Sequence, residues 1–240
     1  MLSIKDFDVS DQIPNLIEAG ISSFKIEGRL KDIVYVKNNV SYLRQKLDAY
    51  LDGSDAYTKA SSGKCTYTFE SALSKTFNRG YTDYFVNKRT EKIGSWESPK
   101  SQGQLIGKLI ETKANGYIIE NYNKLNNGDG LYFINENNEP DGVQINTIIN
   151  DVVVPNTIKS IKPGTIIYRN SDANFNKLVE REDSAIRKIS VQLKFTETND
   201  GFQLTAMDED GHESVFALQT EKEVAKKLKI SFLPTTPKKS

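Results

Sequence analysis

The sequence predicts an α/β segment, then a small closed β-barrel, then a partial α/β domain. Three observations carry this. Helix, strand and helix signals alternate over about the first fifty residues, the pattern of an α/β fold. From Gln102 to Arg169, short apolar runs are separated by Gly, Asn, Asp and Pro at turn positions. From Ala185, alternating strands and tight turns lead into a helix signal.

The elements follow in order. Asp8 to Ala19 is a predicted helix with Ser10 or Asp11 as cap, Pro14 in the first turn and Gly20 as its stop. Ile21 to Ile26 is a predicted short strand that ends at Glu27-Gly28-Arg29. In the long helix after it, Val36, Val40, Leu43, Leu47 and Leu51 recur at three- and four-residue steps, which predicts an apolar buried face. Residues 52–63 are small and polar and predict a loop. Thr66 to Phe69 is a strand candidate. The run from Phe77 to Phe85 is too aromatic for a solvated linker and predicts packing.

The β region offers strands at Leu105–Glu111, Gly116–Glu120, Gly130–Ile134, Gly142–Ile149 and Thr165–Tyr168. Turns are predicted at Asn115-Gly116, Asn126 to Gly130, Pro140-Asp141-Gly142 and Pro163-Gly164. Five or six short strands over this length predict a small barrel, which leaves no sheet edge exposed. Ile189–Thr196, Phe202–Met207 and Ser214–Leu218 predict a meander, and Thr220 with Glu223 forms a capping box for a helix to Lys229. The predicted organisation is 1–55 α/β, 56–101 connecting segment, 102–170 barrel, 185–233 partial α/β domain and 234–240 disordered tail.

Composition narrows the function classes. Lys+Arg and Asp+Glu are 32 each, so zero net charge exerts no global pull on nucleic acid or an anionic membrane. Local basic patches stay open as an RNA or protein contact. Cys65 is the single cysteine, which excludes an intrachain disulfide and a cysteine-rich metal site. The cysteine usage, with no apolar run near the ~20 residues of a membrane span, predicts a cytoplasmic protein without membrane contact. No cofactor is predicted. His212 follows an acidic turn, Asp208-Glu209-Asp210-Gly211, which lacks the alternating ligands of a calcium loop. No metal site is predicted. Trp96 beside Gly94, Ser95 and Pro99 reads as a packed domain-junction residue rather than an RNA-stacking one.

Four strings carry a family resemblance: Ser3-Ile4-Lys5-Asp6, Leu16-Ile17-Glu18-Ala19-Gly20, Phe24-Lys25-Ile26-Glu27-Gly28-Arg29, and Phe77-Asn78-Arg79-Gly80-Tyr81-Thr82. In order and spacing they resemble the collagenase-like peptidases, family 32 among peptidases of unassigned mechanism. The resemblance implies a (β/α) barrel of which residues 1–55 are a remnant, a small barrel similar to the second domain of translation factors, and a further C-terminal domain. It also implies a C-terminal portion of a longer protein. Family members are named as proteases or linked to base hydroxylation in transfer or ribosomal RNA. The cysteines and glycine-rich stretch that precede the Ser-Lys-Asp motif in the family have no counterpart here, and Cys65 does not replace them. The chain is therefore expected to be non-catalytic by itself.

The candidate site residues follow. Glu27 and Arg29 fall at the end of a predicted barrel strand, where barrel enzymes place active sites. A Glu there serves as general base or metal ligand, and an Arg as a bidentate clamp. Alternatively the two cap the next helix and pair with each other. Lys5 and Asp6 are substrate-binding candidates on the preceding strand, or a surface ion pair. Arg79, the third substrate-binding candidate, reaches the same mouth or binds a phosphate, or else caps its own loop. An uncovered remnant exposes strand edges and the Val36–Leu47 face, which predicts self-association.

Overall fold

The computed structural model describes residues 3–89, 93–95 and 100–223. These form two compact units: residues up to Ala60 with Cys65–Arg187, and Ser61–Lys64 with the residues from Lys188 on. The chain is mixed α/β, rich in strands and short of helices.

The first unit opens with two short strands, β1 (Ser3–Ile4) and β2 (Asp6–Phe7). A 3-10 turn at Ser10–Gln12 leads into helix α1 (Ile13–Glu18). The predicted cap is corrected here: Gln12 holds the N-cap position without a side-chain bond to the helix backbone, while Ser10 lies in the 3-10 turn and gives its N–H to Asp8 Oδ1 at 2.9 Å. Gly20, at φ +94°, ends the helix. The N–H of Ile21 reaches Leu16 O at 3.0 Å and that of Gly20 reaches Ile17 O at 2.8 Å, the paired bonds of a Schellman stop. The predicted strand at Ile21–Ile26 does not form. Its backbone has no ladder partner among the described residues, and Ile21, Phe24 and Ile26 face solvent.

Helix α2 (Ile33–Asp52) starts where Asp32 accepts the N–H of Tyr35 at 2.7 Å. Its buried side is Val34, Asn38, Asn39 and Ser41, not the predicted apolar face. Val36 and Val40 are exposed, and Leu43, Leu47 and Leu51 are half-buried. Polar side chains win the interior because each finds a partner. Asn38 Nδ2 donates to Ala72 O at 2.8 Å and to Thr76 Oγ1 at 3.1 Å, and its Oδ1 accepts the N–H of Ala72 at 3.0 Å.

Next come β3 (Lys64–Tyr67), β4 (Tyr81–Thr82) and β5 (Gly94–Ser95). β1 pairs antiparallel with β5, and β2 pairs parallel with β4. Trp96 lies outside the described residues.

Six strands then close a barrel: β6 (Gln104–Lys113), β7 (Gly116–Ile119), β8 (Gly130–Ile134), β9 (Pro140–Ile149), β10 (Val152–Pro155) and β11 (Ile166–Ser171). Around the barrel the order is β10-β7-β6-β11-β8-β9, all antiparallel. Its core is Ile106, Leu109, Tyr117, Ile119, Leu125, Leu131, Phe133, Val143, Ile145, Val153, Ile161 and Ile167. Two expectations need correcting. Pro140-Asp141-Gly142 is not a turn but the start of β9, with Pro140 opposite Ile134; the turn is carried by Asn135, which accepts the N–H groups of Asn137 and Glu139. β10 goes unpredicted because it follows β9 after only two residues, Asn150 and Asp151, both at positive φ, the hairpin conformation these side chains tolerate.

Helix α3 (Ala173–Glu180) follows, capped by Asp172, which accepts the N–H of Phe175 at 2.9 Å. It packs Phe175 and Val179 against Val34 of α2 and Phe69. Phe69 and Phe175 meet edge to face at 5.8 Å. Lys37 Nζ donates to the C-terminal carbonyls of Val179 at 3.0 Å and Arg181 at 2.7 Å, placing a cation at the negative end of the helix. Strand β12 (Ala185–Lys188) pairs with β3.

The second unit is the predicted meander, β13 (Val191–Thr198), β14 (Gly201–Asp208) and β15 (Glu213–Gln219). Leu193, Phe195, Phe202, Leu204, Phe216 and Leu218 share one face by register, and Phe195 stacks on Phe202 at 5.2 Å. Past Glu223, the predicted helix and tail lie outside the described residues.

Candidate functional site

The parallel pairing of β2 with β4 sets Asp6 opposite Tyr81 and Phe7 opposite Thr82. Two strings more than seventy residues apart thus become neighbours. Backbone bonds extend the pairing, from Asp6 N–H to Gly80 O and from Asp8 N–H to Thr82 O, both at 2.9 Å. On the other side Lys5 N–H reaches Ile93 O at 3.0 Å.

Buried Asn78 shapes the turn before β4. Its Nδ2 donates to Thr76 O at 3.0 Å, its own N–H reaches Ser101 Oγ at 3.2 Å, and its carbonyl accepts the N–H of Gln102 at 2.8 Å. Gly80 sits at φ +78°, a conformation that favours glycine, and a Cβ there would stand 3.8 Å from Lys5 Cδ and Cε. Lys5 therefore leans over the turn.

Arg79 then closes onto Asp6. Its backbone N–H reaches Asp6 Oδ2 at 2.7 Å, its Nη2 reaches Oδ1 at 2.8 Å, and its Nη1 reaches Ser3 Oγ at 3.2 Å. The carboxylate raises the guanidinium pKa, chiefly through the hydrogen bond. Both oxygens of Asp6 are thereby committed, which suits a brace better than a general base.

The Phe77 ring lies beneath two cations, Lys31 Nζ at 3.1 Å from its centroid and Arg79 Cζ at 5.6 Å. Burial pushes the Lys31 ammonium below its usual range; Asp6 opposes that and Arg79 adds to it. Burial likewise raises the phenols of Tyr35 and Tyr81, with Asp6 reinforcing both. Lys31, Tyr35 and Phe77 complete a cluster around the Asp6–Arg79 pair. Lys31 and Tyr35 went unmarked in the sequence, where nothing distinguishes them from other helix-start residues. The structure thus gathers Lys5, Asp6 and Arg79 at one place.

Glu27 and Arg29 lie instead in the exposed segment before α2. Glu27 Oε1 meets Lys25 Nζ at 2.8 Å and its Oε2 meets Arg29 Nε at 3.3 Å. The Glu27 carboxyl is held below its ordinary range, first by the Lys25 hydrogen bond. Cys65 lies on β3 beside the Tyr67 phenol, which burial and then the thiol push well above its usual range. In the second unit the acidic turn gathers ligand atoms of Asp208, Asp210 and His212 within 4.8 Å of one another. The Asp208 Oδ1 atom already accepts the N–H groups of Asp210 at 3.0 Å and His212 at 2.8 Å.

Residues 1–95, which hold this whole cluster, match the family described as peptidase family U32. Residues 1–95 are thus a peptidase family U32 segment. Among U32 relatives, the "23S rRNA 5-hydroxycytidine C2501 synthase" of Escherichia coli is 34% identical over 220 residues, covering 88% of this chain and 33% of the relative. The "tRNA hydroxylation protein P1" of Bacillus subtilis is 51% identical over 49 residues, 20% of this chain and 12% of the relative. A "Collagenase" of Porphyromonas gingivalis is 30% identical over 119 residues, 49% of this chain and 30% of the relative. The chain spans at most about a third of the length of these U32 relatives. No solved structure gives a significant match. Among the described residues no helix is long and apolar enough to cross a membrane.

Proposed function

We propose that this chain serves the RNA-hydroxylation branch of U32, as a part that positions RNA and does not itself perform the chemistry. One observation carries the reading: the likeness to the ribosomal RNA hydroxycytidine synthase runs over 88% of the chain, whereas the likeness to the collagenase runs over 49%. A match of the first extent has to include the small barrel and part of the meander. Residues 1–55 are read as the end of a (β/α) barrel, and the six-stranded barrel as a translation-factor-like module that contacts RNA. Lys31, the cation that lies on the Phe77 ring beside the Asp6–Arg79 pair, is suited to neutralise a backbone phosphate. With zero net charge overall, such local cations must supply the attraction.

Asp6, both of whose oxygens accept from Arg79, is read here as a brace rather than a general base. Self-association through Val36 and Val40, both exposed on α2, is the accompanying proposal for what covers that face.

The test is binding of the full chain to a fluorescent fragment of ribosomal RNA, by anisotropy, beside a gelatin digestion assay. Micromolar RNA binding without gelatin turnover is expected. Turnover of gelatin, or no RNA binding at any salt concentration, overturns the reading.

A further inference from the structure

We propose that Phe7, Tyr84, Phe85 and Val86 form a stacking pocket for unpaired bases of single-stranded RNA, with Lys88 and Arg89 at its rim engaging the phosphates. The inference rests on the RNA reading above and gives that reading a specific place on the surface.

The four residues line an open cavity of about 490 Å³, within the ~300–1,000 Å³ of small-ligand sites. Phe7 is 58% exposed, Phe85 43% and Val86 46%. The rings form a chain of edge-to-face contacts, Phe7 to Tyr84 at 5.7 Å and Tyr84 to Phe85 at 6.0 Å. Edge-to-face packing leaves ring faces open, and every base offers a π-face to such a surface.

The turn that presents the rings is held in an uncommon shape. Tyr84 adopts φ +58°, a left-handed conformation that bulky residues avoid. The Tyr84 N–H donates to Thr82 Oγ1 at 3.1 Å, fixing the turn onto β4. Strain of this kind persists where the surrounding structure imposes it, and it clusters at binding sites.

Charge decides the occupant. Arg89 stands over the Phe85 ring at 5.1 Å from its centroid, and Lys88 is exposed beside it. The acids on the same turns point to internal donors: Asp83 Oδ2 accepts from Asn87 Nδ2 at 2.7 Å, and Asp8 Oδ1 accepts the N–H of Ser10 at 2.9 Å. An aromatic floor with a cationic rim fits a base and its phosphate better than it fits an apolar protein face.

The experiment measures anisotropy of the full chain with a labelled single-stranded RNA and with the same sequence as a duplex. Phe7→Ala and Phe85→Ala are each expected to weaken single-strand binding about 5- to 150-fold, since stacking on one aromatic is worth ~1–3 kcal/mol per base. The duplex affinity should stay unchanged. Arg89→Ala touches no core residue and is expected to reduce the salt slope by about 0.7, one phosphate contact on a single strand. Melting curves of all three should overlay that of the parent chain. If the parent binds RNA and the variants bind equally well, this inference falls and the RNA reading stands. If the parent binds no RNA, both fall. A dimer that Phe85→Glu splits without changing RNA affinity would assign the pocket to a second copy and also sink the inference.

Discussion

Arg79 holds Asp6 by both its backbone and its side chain: the N–H takes Oδ2 at 2.7 Å and Nη2 takes Oδ1 at 2.8 Å. The pair locks β2 to β4 in the parallel register. Asp6→Ala should cost about 1–2 kcal/mol in urea unfolding, the value of charged hydrogen bonds reduced for partial solvent access. Arg79→Ala should cost a similar amount, and the double variant little more than either alone. Additive losses would show that the two residues are not coupled.

Asn38 is fully buried and satisfies both backbone groups of Ala72. Asn38→Ala orphans them, for an expected loss of about 1–3 kcal/mol. Because Ala72 leads into the Phe77–Thr82 turn, hydrogen exchange should accelerate over residues 72–82. Unchanged protection there would refute this anchoring.

Arg169, on β11, is buried among Asp129 at 3.2 Å, Asp172 at 2.9 Å and the carbonyl of Lys124 at 2.7 Å. Arg169→Met strips the counter-charge from two buried carboxylates and should cost about 3–5 kcal/mol. Thermal unfolding should show it. Replacing Asp129 and Asp172 with apolar residues as well should not recover the loss, because Asp172 caps α3 and Asp129 accepts the N–H groups of Asn126 and Ala173.

Asp141 carries the pH prediction. The Lys159 ammonium hydrogen-bonds to it and lowers its carboxyl below the ordinary range, with burial pulling the other way. A depressed folded pKa contributes stability above the unfolded value, about 3.9 for Asp, and that contribution disappears as pH falls through the folded value. Asp141→Asn should therefore lower the urea midpoint at pH 7, and the gap to the parent should close on acidification. A gap that stays constant with pH would exclude this linkage.

The barrel was legible because its signals are local. Gly130 to Ile134 is a short apolar run with turn residues at both ends, and the strand has these bounds. What failed needed knowledge of partners. Ile21–Ile26 has strand composition but no ladder beside it among the described residues. The stripe from Val36 to Leu51 has helical spacing, yet the interior took Asn38 and Ser41, since a saturated amide is at home where Ala72 and Thr76 supply bonds. Asp6 and Arg79 were marked by resemblance. That they touch is a consequence of parallel pairing across 73 residues, which no local pattern encodes. Helix α3 was overlooked although Asp172, its cap, is a conventional start signal.

The clasp between Lys37 and the end of α3 has a topological consequence. Residues 142 and 144 positions apart are joined by one ammonium group, and a Cβ on Gly103 would stand only 2.1 Å from Arg169 O. Entry to and exit from the barrel are thus adjacent, so the six strands form a cassette inserted into a host made of α2, β3, α3 and β12. Such a cassette is a natural point for excision or exchange. Joining Gly103 to Asn170 through a short linker would leave the Val34–Phe69–Phe175–Val179 cluster with all its members, and new cassettes could be grafted at the same seam.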